Sequence, residues 1–145
     1  IDKYGFETRP ELLREVARRL VDILPEDVDA LAGVELGGVP LVTAVALESE
    51  LPYVIVKKEK KGYGTDRLLE GQSFAGESVA LIEDVLTTGG TACKAADILK
   101  SEGAGDVTVI AVVDRQEGAE ETFSKAGFPY RALFTREDLG IREDS

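Results

Sequence analysis

The residues with the clearest chemical potential lie between positions 79 and 92, in the sequence Val-Ala-Leu-Ile-Glu-Asp-Val-Leu-Thr-Thr-Gly-Gly-Thr-Ala. Four apolar residues lead into two adjacent carboxylates, Glu83 and Asp84, and a turn of small residues precedes a run with helical spacing. Free backbone amides, hydroxyls and the positive end of a helix would meet at that turn, which is the environment that binds a phosphate group. The two carboxylates suit a ribose diol or a hydrated magnesium ion.

Length and composition favour a single compact domain over residues 1 to 145. The chain is 43% apolar, which is enough for a hydrophobic core, and nothing in it marks a second domain. No window approaches the roughly 20 consecutive apolar residues that cross a bilayer, and the N-terminus has no basic-then-apolar signal pattern. We therefore expect a soluble, cytoplasmic protein without a membrane partner.

The charge and the missing residue types exclude several classes of function. With 28 acidic and 17 basic residues the net charge is -11, whereas nucleic-acid binding needs a basic face, so we expect no nucleic-acid partner. The chain has no histidine, which removes Ser-His and Cys-His catalysis and disfavours a zinc site. Cys93 is the only cysteine, so no internal disulfide can form, and its apolar helical surroundings indicate a small core residue.

Helical and strand patterns alternate along the chain, which predicts an α/β fold with a five-stranded parallel sheet flanked by helices. A helix with Thr8 as its N-terminal cap is the first predicted element. Helices are expected over residues 9–24, 39–48, 88–102 and 118–126. Strands are expected over residues 29–35, 53–56, 79–82, 107–113 and 130–134. The polar stretch 57–76 is too long for an ordinary connector, and loops of that length are usually functional or mobile.

Ligands of such a sheet bind at the carboxyl ends of its strands. Three segments with suggestive chemistry follow predicted strands directly: residues 35–40, 57–71 and 83–91. The sequence therefore predicts one site at this edge, built from all three segments.

The stretch from Val79 to Thr91 closely resembles the phosphoribosyl pyrophosphate (PRPP) loop of the type I phosphoribosyltransferases. The shared order is an apolar strand, two acids, an apolar pair and Thr-Thr-Gly-Gly-Thr. Other phosphate-binding motifs do not fit. A dinucleotide-binding fingerprint places glycines directly after the strand, and a Walker loop needs Gly-Lys followed by Ser or Thr.

Three further segments resemble the orotate phosphoribosyltransferases in particular. Residues 57 to 64, Lys-Lys-Glu-Lys-Lys-Gly-Tyr-Gly, look like the mobile basic loop of that family. Residues 114 to 118, Asp-Arg-Gln-Glu-Gly, look like the segment that presents an arginine to the orotate carboxylate. Residues 33 to 40, Gly-Val-Glu-Leu-Gly-Gly-Val-Pro, resemble its pyrophosphate-binding turn. The resemblance thus covers residues 33 to 118, with a weaker similarity over residues 135 to 139.

The resemblance implies a transfer of the phosphoribosyl group from PRPP to orotate, giving orotidine 5′-monophosphate and pyrophosphate in pyrimidine biosynthesis. The transition state would resemble an oxocarbenium ion, with negative charge growing on the departing pyrophosphate. Such a reaction needs positive charge at the leaving group, a fixed sugar and little water. Magnesium would be the cofactor, bound mainly through PRPP and water and not directly by protein ligands. The implied assembly is a homodimer with shared active sites.

The resemblance also assigns roles to individual residues. Catalytic roles fall on Lys58, Lys61 and Asp84. PRPP and its 5′-phosphate would contact Glu83, Asp84, Val85, Leu86, Thr87, Thr88, Gly89, Gly90 and Thr91. Pyrophosphate would contact Glu35, Leu36, Gly37, Gly38, Lys57, Lys58, Lys61 and Tyr63. Orotate would contact Thr87 and Arg115.

The chain departs from the family in three places. Tyr63 stands where the basic loop usually carries a histidine, so a role for that imidazole does not carry over. Lys57 stands where arginine is common, and an ammonium lacks the bidentate fork of a guanidinium. The family's opening segment, a hood that closes over the base, is expected to precede Ile1, which leaves the hood incomplete here.

Two alternatives remain open at the level of sequence. A sibling transferase would use another base such as a purine, and Arg115 would then meet no carboxylate. A non-catalytic PRPP sensor or transcriptional regulator would keep the fold. The complete basic and acidic sets favour catalysis over that second alternative.

Overall fold

The computed structural model of the chain describes residues 7–57, 68–71 and 74–140. The helices are α1 (Pro10–Asp22), α2 (Gly38–Ser49), α3 (Gly90–Ser101), α4 (Ala119–Ala126) and α5 (Arg136–Leu139). The strands are β1 (Ala30–Val34), β2 (Tyr53–Val56), β3 (Leu69–Glu70), β4 (Ser78–Leu86), β5 (Asp106–Asp114) and β6 (Tyr130–Thr135). None of the helices in these described ranges is long and apolar enough to span a membrane.

The described strands form one sheet in the order β3-β2-β1-β4-β5-β6. Neighbouring strands are parallel except β2 and β3, which are antiparallel. The predicted α/β fold with a parallel sheet flanked by helices is confirmed, although the sheet has six strands where five were predicted. The added strand has two residues within the predicted 57–76 loop, which is too short to show a periodicity. Its pairing continues where Lys57 N donates to Leu68 O at 2.7 Å.

Helices cover both faces of the sheet, which explains why its central strands read as continuous apolar runs. All five residues of β1 are buried. Alternate residues of β4 pack into two separate clusters, because successive side chains of a strand point to opposite faces. The cluster under α1 and α2 contains Ala17, Leu20, Leu41, Val42, Val45, Ala80 and Ile82. The cluster under α3 and α4 contains Val79, Leu81, Ala92, Ala95, Ala96, Leu99 and Phe123.

Cys93 packs against the cluster under α3 and α4, as its predicted role as a small core residue implies. Desolvation by burial raises the pKa of its thiol, and the nearby Asp97 raises it further. A raised pKa keeps the sulfur protonated at neutral pH, whereas a nucleophilic cysteine needs the thiolate.

The first helix begins differently from the prediction. Its N-cap is Arg9, for which the described part of the chain shows no side-chain capping bond, so the prediction of Thr8 as the cap was wrong. Pro10 occupies the first helical position. Proline has no backbone N–H and its φ already suits a helix, so this end has one donor fewer to satisfy.

A glycine lets α2 approach the end of β1 closely. A Cβ atom at Gly33 would lie 2.6 Å from Val42 Cγ1 and 2.9 Å from Gly38 O, distances that no side chain tolerates. The turn of residues 35 to 38 therefore folds tightly back over β1, beside the neighbouring strand β4. The positions of Gly33 and Gly38 thus bring that turn to the carboxyl edge of the sheet.

Candidate functional site

The two adjacent carboxylates lie inside a strand. Strand β4 runs to Leu86, four residues beyond the predicted end at Ile82, so the predicted boundary was wrong. The cause is the neighbouring strand β5, whose pairing with β4 continues to the partners Leu86 and Asp114. Glu83 is half-buried and Asp84 is only 6% exposed. The sheet therefore fixes the backbone of both acids.

The end of β4, the following turn and the start of α3 line a cavity of about 380 Å³, which we name the main cavity because it contains the predicted PRPP loop. Its lining residues are Glu83, Asp84, Val85, Leu86, Thr87, Thr88, Gly89, Gly90, Thr91, Ala92 and Arg115. All nine residues predicted to contact PRPP are among them, and so are Thr87 and Arg115, the two predicted to contact orotate. Among the lining residues, Ala92 was missed by the sequence prediction.

The turn before α3 is held by its own residues and by α4. Gly89 is the N-cap of α3 with φ of 84°, a left-handed conformation that favours glycine. A Cβ atom there would lie 3.2 Å from the Cα of Ala119. Thr88 Oγ1 accepts a hydrogen bond from Gly90 N at 3.3 Å, and Thr122 Oγ1 donates to Thr88 O at 2.7 Å. The turn is thus fixed in shape.

Gly90 N, the first amide of α3, already donates to Thr88 Oγ1. The N-cap Gly89 provides no side-chain capping hydrogen bond for the amides that follow it in the first turn, those of Thr91 and Ala92. The first amides of a helix have no intrahelical acceptor, and the helix dipole adds positive potential at this end. Since these amides border the main cavity, the cavity can hold an anion at that end.

A smaller cavity of about 90 Å³, the side cavity, adjoins the two acids. Its lining residues are Val34, Glu35, Gly37, Gly38, Glu83, Asp84 and Thr91. The structure therefore brings three of the four residues predicted for the pyrophosphate turn next to the acid pair. Leu36 differs: it is absent from the described lining of this cavity, and it is 76% exposed.

A third cavity, of about 230 Å³, also borders Thr91. Two lysines line it, Lys57 at the end of β2 and Lys94 on α3. Lys57 Nζ also forms an ion pair with Glu70 Oε1 at 2.8 Å. Lys94 was missed by the sequence prediction, although it lies three residues after Thr91 and hence on the same helical face. Of the other predicted loop residues, Lys58, Lys61 and Tyr63 lie outside the described residues.

Arg115 is held at the main cavity by contacts of its backbone and its side chain with neighbouring segments. Its backbone N donates to Leu86 O at 2.9 Å, which joins the end of β5 to the end of β4. Its Nε lies 3.0 Å from Glu117 Oε2. Asp114, which precedes it, is 5% exposed and accepts hydrogen bonds from Gln116 N at 2.8 Å and from Tyr130 Oη at 3.0 Å. These contacts hold the loop that carries Arg115.

The hydrogen bond from Tyr130 to Asp114 should stabilise the fold in a pH-dependent way. Desolvation by burial, together with this bond, raises the pKa of Tyr130 to about 12. An unfolded tyrosine has a pKa of about 10, so between these two values the unfolded chain loses the proton while the folded protein keeps it. The contribution of the Tyr130 hydroxyl to the free energy of unfolding is therefore complete below about pH 10, and it is lost as the pH rises through about 12.

We expect Tyr130→Phe to lower the free energy of unfolding by about 1 kcal/mol at pH 8, because it leaves Asp114 without one of its donors. The difference from the wild type should shrink at pH 11, where the hydroxyl proton no longer favours the folded state as strongly. Urea denaturation of both proteins at the two pH values measures this. Equal differences at pH 8 and pH 11 would contradict the role given to the hydroxyl proton.

Comparison with known proteins agrees with the composition of the main cavity. Residues 6–126 match the model of the phosphoribosyl transferase domain. The chain is 47% identical over 139 residues to an orotate phosphoribosyltransferase of Natronomonas pharaonis, in an alignment that covers 96% of this chain and 79% of that protein. The chain belongs to the orotate phosphoribosyltransferase family. This confirms the resemblance found in the sequence.

Solved structures of the orotate phosphoribosyltransferase family have the same fold. The enzyme from Aeropyrum pernix superposes with a TM-score of 0.84 at 31% identity, covering 97% of this chain and 82% of that chain. The Mycobacterium tuberculosis enzyme, solved in complex with PRPP, superposes with a TM-score of 0.83 at 28% identity and the same coverage of both chains. The matched residues of the family model include the whole main cavity and end before β6.

Proposed function

We propose that the protein is an orotate phosphoribosyltransferase, which transfers the phosphoribosyl group of PRPP to orotate in pyrimidine biosynthesis. The products are orotidine 5′-monophosphate and pyrophosphate, and the enzyme acts in the cytoplasm. The single observation that carries the proposal is the main cavity, which joins the complete PRPP loop to Arg115. A phosphate-binding turn and a guanidinium on one cavity match the two ends of this reaction, a sugar phosphate and a carboxylated base.

The turn from Thr87 to Thr91 holds the 5′-phosphate of PRPP. Backbone amides at the start of α3 and the threonine hydroxyls donate to the phosphate oxygens, and the helix dipole favours their negative charge. Because α4 and Gly89 fix the shape of the turn, the phosphate binds without much rearrangement. The phosphate then anchors the sugar in one position, which lowers the entropy cost of the reaction.

Glu83 and Asp84 orient the ribose. Their carboxylates accept hydrogen bonds from the sugar hydroxyls at the carboxyl end of β4. When the bond to pyrophosphate breaks, positive charge develops on the sugar, and a nearly buried carboxylate such as Asp84 stabilises it. The bond that forms joins carbon 1 of the ribose to a ring nitrogen of orotate.

Pyrophosphate leaves towards the side cavity and towards the third cavity, which Lys57 lines. The turn of Glu35 to Gly38 faces one side of the leaving group, and Lys57, Lys58 and Lys61 neutralise its charge on the other. In the family this basic loop reaches the neighbouring subunit's site, so we propose a homodimer with shared sites.

A magnesium ion carried by PRPP would sit near the acidic side cavity and would be held mainly by PRPP oxygens and water. Glu35, Glu83 and Asp84 line that cavity, and their carboxylates would accept hydrogen bonds from the water molecules on the ion. The described residues form no cluster of three or more side chains suited to hold a metal by themselves. Water and PRPP oxygens would therefore supply the coordination. When bound, magnesium supplies positive charge that stabilises the departing pyrophosphate.

Arg115 and Thr87 bind orotate. The guanidinium of Arg115 can donate two parallel hydrogen bonds to a carboxylate, which fixes the plane of the base as well as its position. Thr87 also lines the main cavity. A base without a carboxylate would leave the charge of Arg115 without a ligand partner.

The proposal is tested by assaying the purified protein with PRPP, magnesium and one base at a time. We expect orotidine 5′-monophosphate from orotate at a rate constant of about 1 to 10³ s⁻¹, the usual range for enzymes, and loss of turnover when a chelator removes magnesium. Adenine, hypoxanthine and uracil serve as control bases. Turnover of a purine in preference to orotate would identify a sibling transferase, and PRPP binding without turnover of any base would identify a sensor.

A further inference from the structure

Glu117 contacts two arginines at the edge of the main cavity. Its Oε2 lies 3.0 Å from Arg115 Nε and 3.6 Å from Arg136 Nη2. The side chain of Arg136 is 17% exposed and that of Arg115 is 28% exposed, so both pairs are partly shielded from water. Within the described part of the chain, Arg115 is on the lining of the main cavity and Glu117 and Arg136 are not. The two arginines therefore differ in their position relative to the cavity.

Glu117 pairs with Arg115 at the Nε edge of the guanidinium, an electrostatic contact in which Nε donates no hydrogen bond to the described residues, and this contact constrains how Arg115 can present its guanidinium. A guanidinium is planar and carries its donors in a fixed fork, with one N–H on Nε and four on the two terminal nitrogens. Because Glu117 lies against Nε, the terminal nitrogens stay available for a second carboxylate. Two parallel N–H donors on those nitrogens are the arrangement that binds a carboxylate in bidentate fashion. Glu117 thus holds Arg115 in an orientation that suits a planar carboxylated ligand.

Glu117 also weakens the positive charge that Arg115 presents to a ligand, and Arg136 offsets this effect. A glutamate beside Arg115 cancels part of its positive charge and would weaken its attraction for a ligand carboxylate. Arg136 places a second positive charge on the same glutamate oxygen, so the three side chains together carry one net positive charge. Partial shielding from water strengthens these interactions relative to a fully exposed pair.

The backbone around Arg136 fixes it beside Glu117. Arg136 is the first residue of α5, whose N-cap Thr135 forms a capping box with Asp138. Thr135 is also the register partner of Asp114 where β6 pairs with β5. A hydrogen bond of 3.4 Å from Glu137 N to Gln116 Oε1 joins α5 to the loop of Arg115. The end of β6 is therefore built against the base side of the cavity.

We propose that Glu117 and Arg136 are positioning residues for the carboxylated base. Glu117 orients Arg115, and Arg136 offsets the charge of Glu117 so that Arg115 still attracts the carboxylate. The inference rests on the proposed function, because it concerns the binding of orotate by Arg115. Arg136 lies beyond residues 6–126, the part of the chain that matches the family model.

The test compares Arg136→Gln, Glu117→Gln and the double variant in the purified protein by steady-state kinetics. Arg136→Gln should raise the KM for orotate about threefold to tenfold, and Glu117→Gln about threefold, with the KM for PRPP unchanged. The double variant should match Glu117→Gln, because Arg136 acts through Glu117. An unchanged KM for orotate in Arg136→Gln would overturn the inference. The inference would also be overturned if Arg136→Gln raised the KM for orotate by the same factor in the wild type and in the Glu117→Gln variant. That result would mean that Arg136 acts independently of Glu117.

Two matched variants separate this role from an effect on folding. Arg136→Lys keeps the charge and should keep an orotate KM near that of the wild type, and a rise as large as that of Arg136→Gln would contradict the charge argument. Arg19→Gln removes the same side chain from a surface pair with Glu15, 3.1 Å apart, and should change neither KM. If the wild type converts orotate but Arg136→Gln is unaffected, the inference fails and the proposed function stands. If the wild type does not convert orotate, the proposed function itself fails.

Discussion

Asp84→Asn should lower kcat about 100- to 1,000-fold while the KM for PRPP stays within about threefold of the wild type. The asparagine keeps the size of the side chain and an oxygen that can accept the hydrogen bond from Val85 N, which Asp84 Oδ1 now accepts at 2.6 Å. The change therefore removes the negative charge with little effect on shape.

The expected separation of kcat from KM follows from when the charge matters. In PRPP the ribose is neutral, so the carboxylate gains little beyond its hydrogen bonds in the ground state. In the transition state the sugar carries positive charge, and Asp84 is only 6% exposed, so water screens the attraction weakly. An interaction made only in the transition state changes kcat and kcat/KM together.

Asp97→Asn is the matched control for this experiment. Asp97 is an exposed acid on α3, away from the described linings of the main and side cavities, so its loss should leave kcat unchanged. Thermal unfolding of both variants shows whether the fold is kept. A higher KM for PRPP with an unchanged kcat would mean that Asp84 serves binding of the substrate and not stabilisation of the developing cation.

The parts of the site that are contiguous in sequence could be predicted from the sequence. The acids, the turn and the helix start follow one another between Glu83 and Thr91, and local rules for phosphate turns apply to them directly. The parallel sheet also followed from the alternation of helices and strands, and it explains why the turn at Glu35 reaches the acid pair.

The parts of the fold and of the site that the sequence did not predict depend on contacts between distant segments. The strand of Leu69 and Glu70 forms because β2 offers a free edge, and a two-residue segment has no periodic signal of its own. The extension of β4 to Leu86 depends on its pairing with β5. Arg136 comes within 3.6 Å of Glu117 because β6 pairs with β5, a relation between residues about twenty positions apart that no local pattern encodes.

Arg115→Ala should raise the KM for orotate about 100-fold and leave the KM for PRPP unchanged, because a bidentate charged pair is among the strongest polar contacts that a protein makes. Arg115→Lys should lie between the alanine variant and the wild type. A lysine keeps the charge but loses the planar fork, and it loses the Nε atom that now lies 3.0 Å from Glu117.

Uracil, which is orotate without its carboxylate, makes this prediction specific. The wild type should prefer orotate to uracil strongly in kcat/KM, whereas Arg115→Ala should treat the two bases nearly alike, because neither base then has a guanidinium to meet. The comparison cancels any general damage to the site, since such damage lowers the rate with both bases. If Arg115→Ala kept the wild-type preference for orotate, the carboxylate would have to be recognised elsewhere, and Arg115 would lose its place as the residue that selects the base.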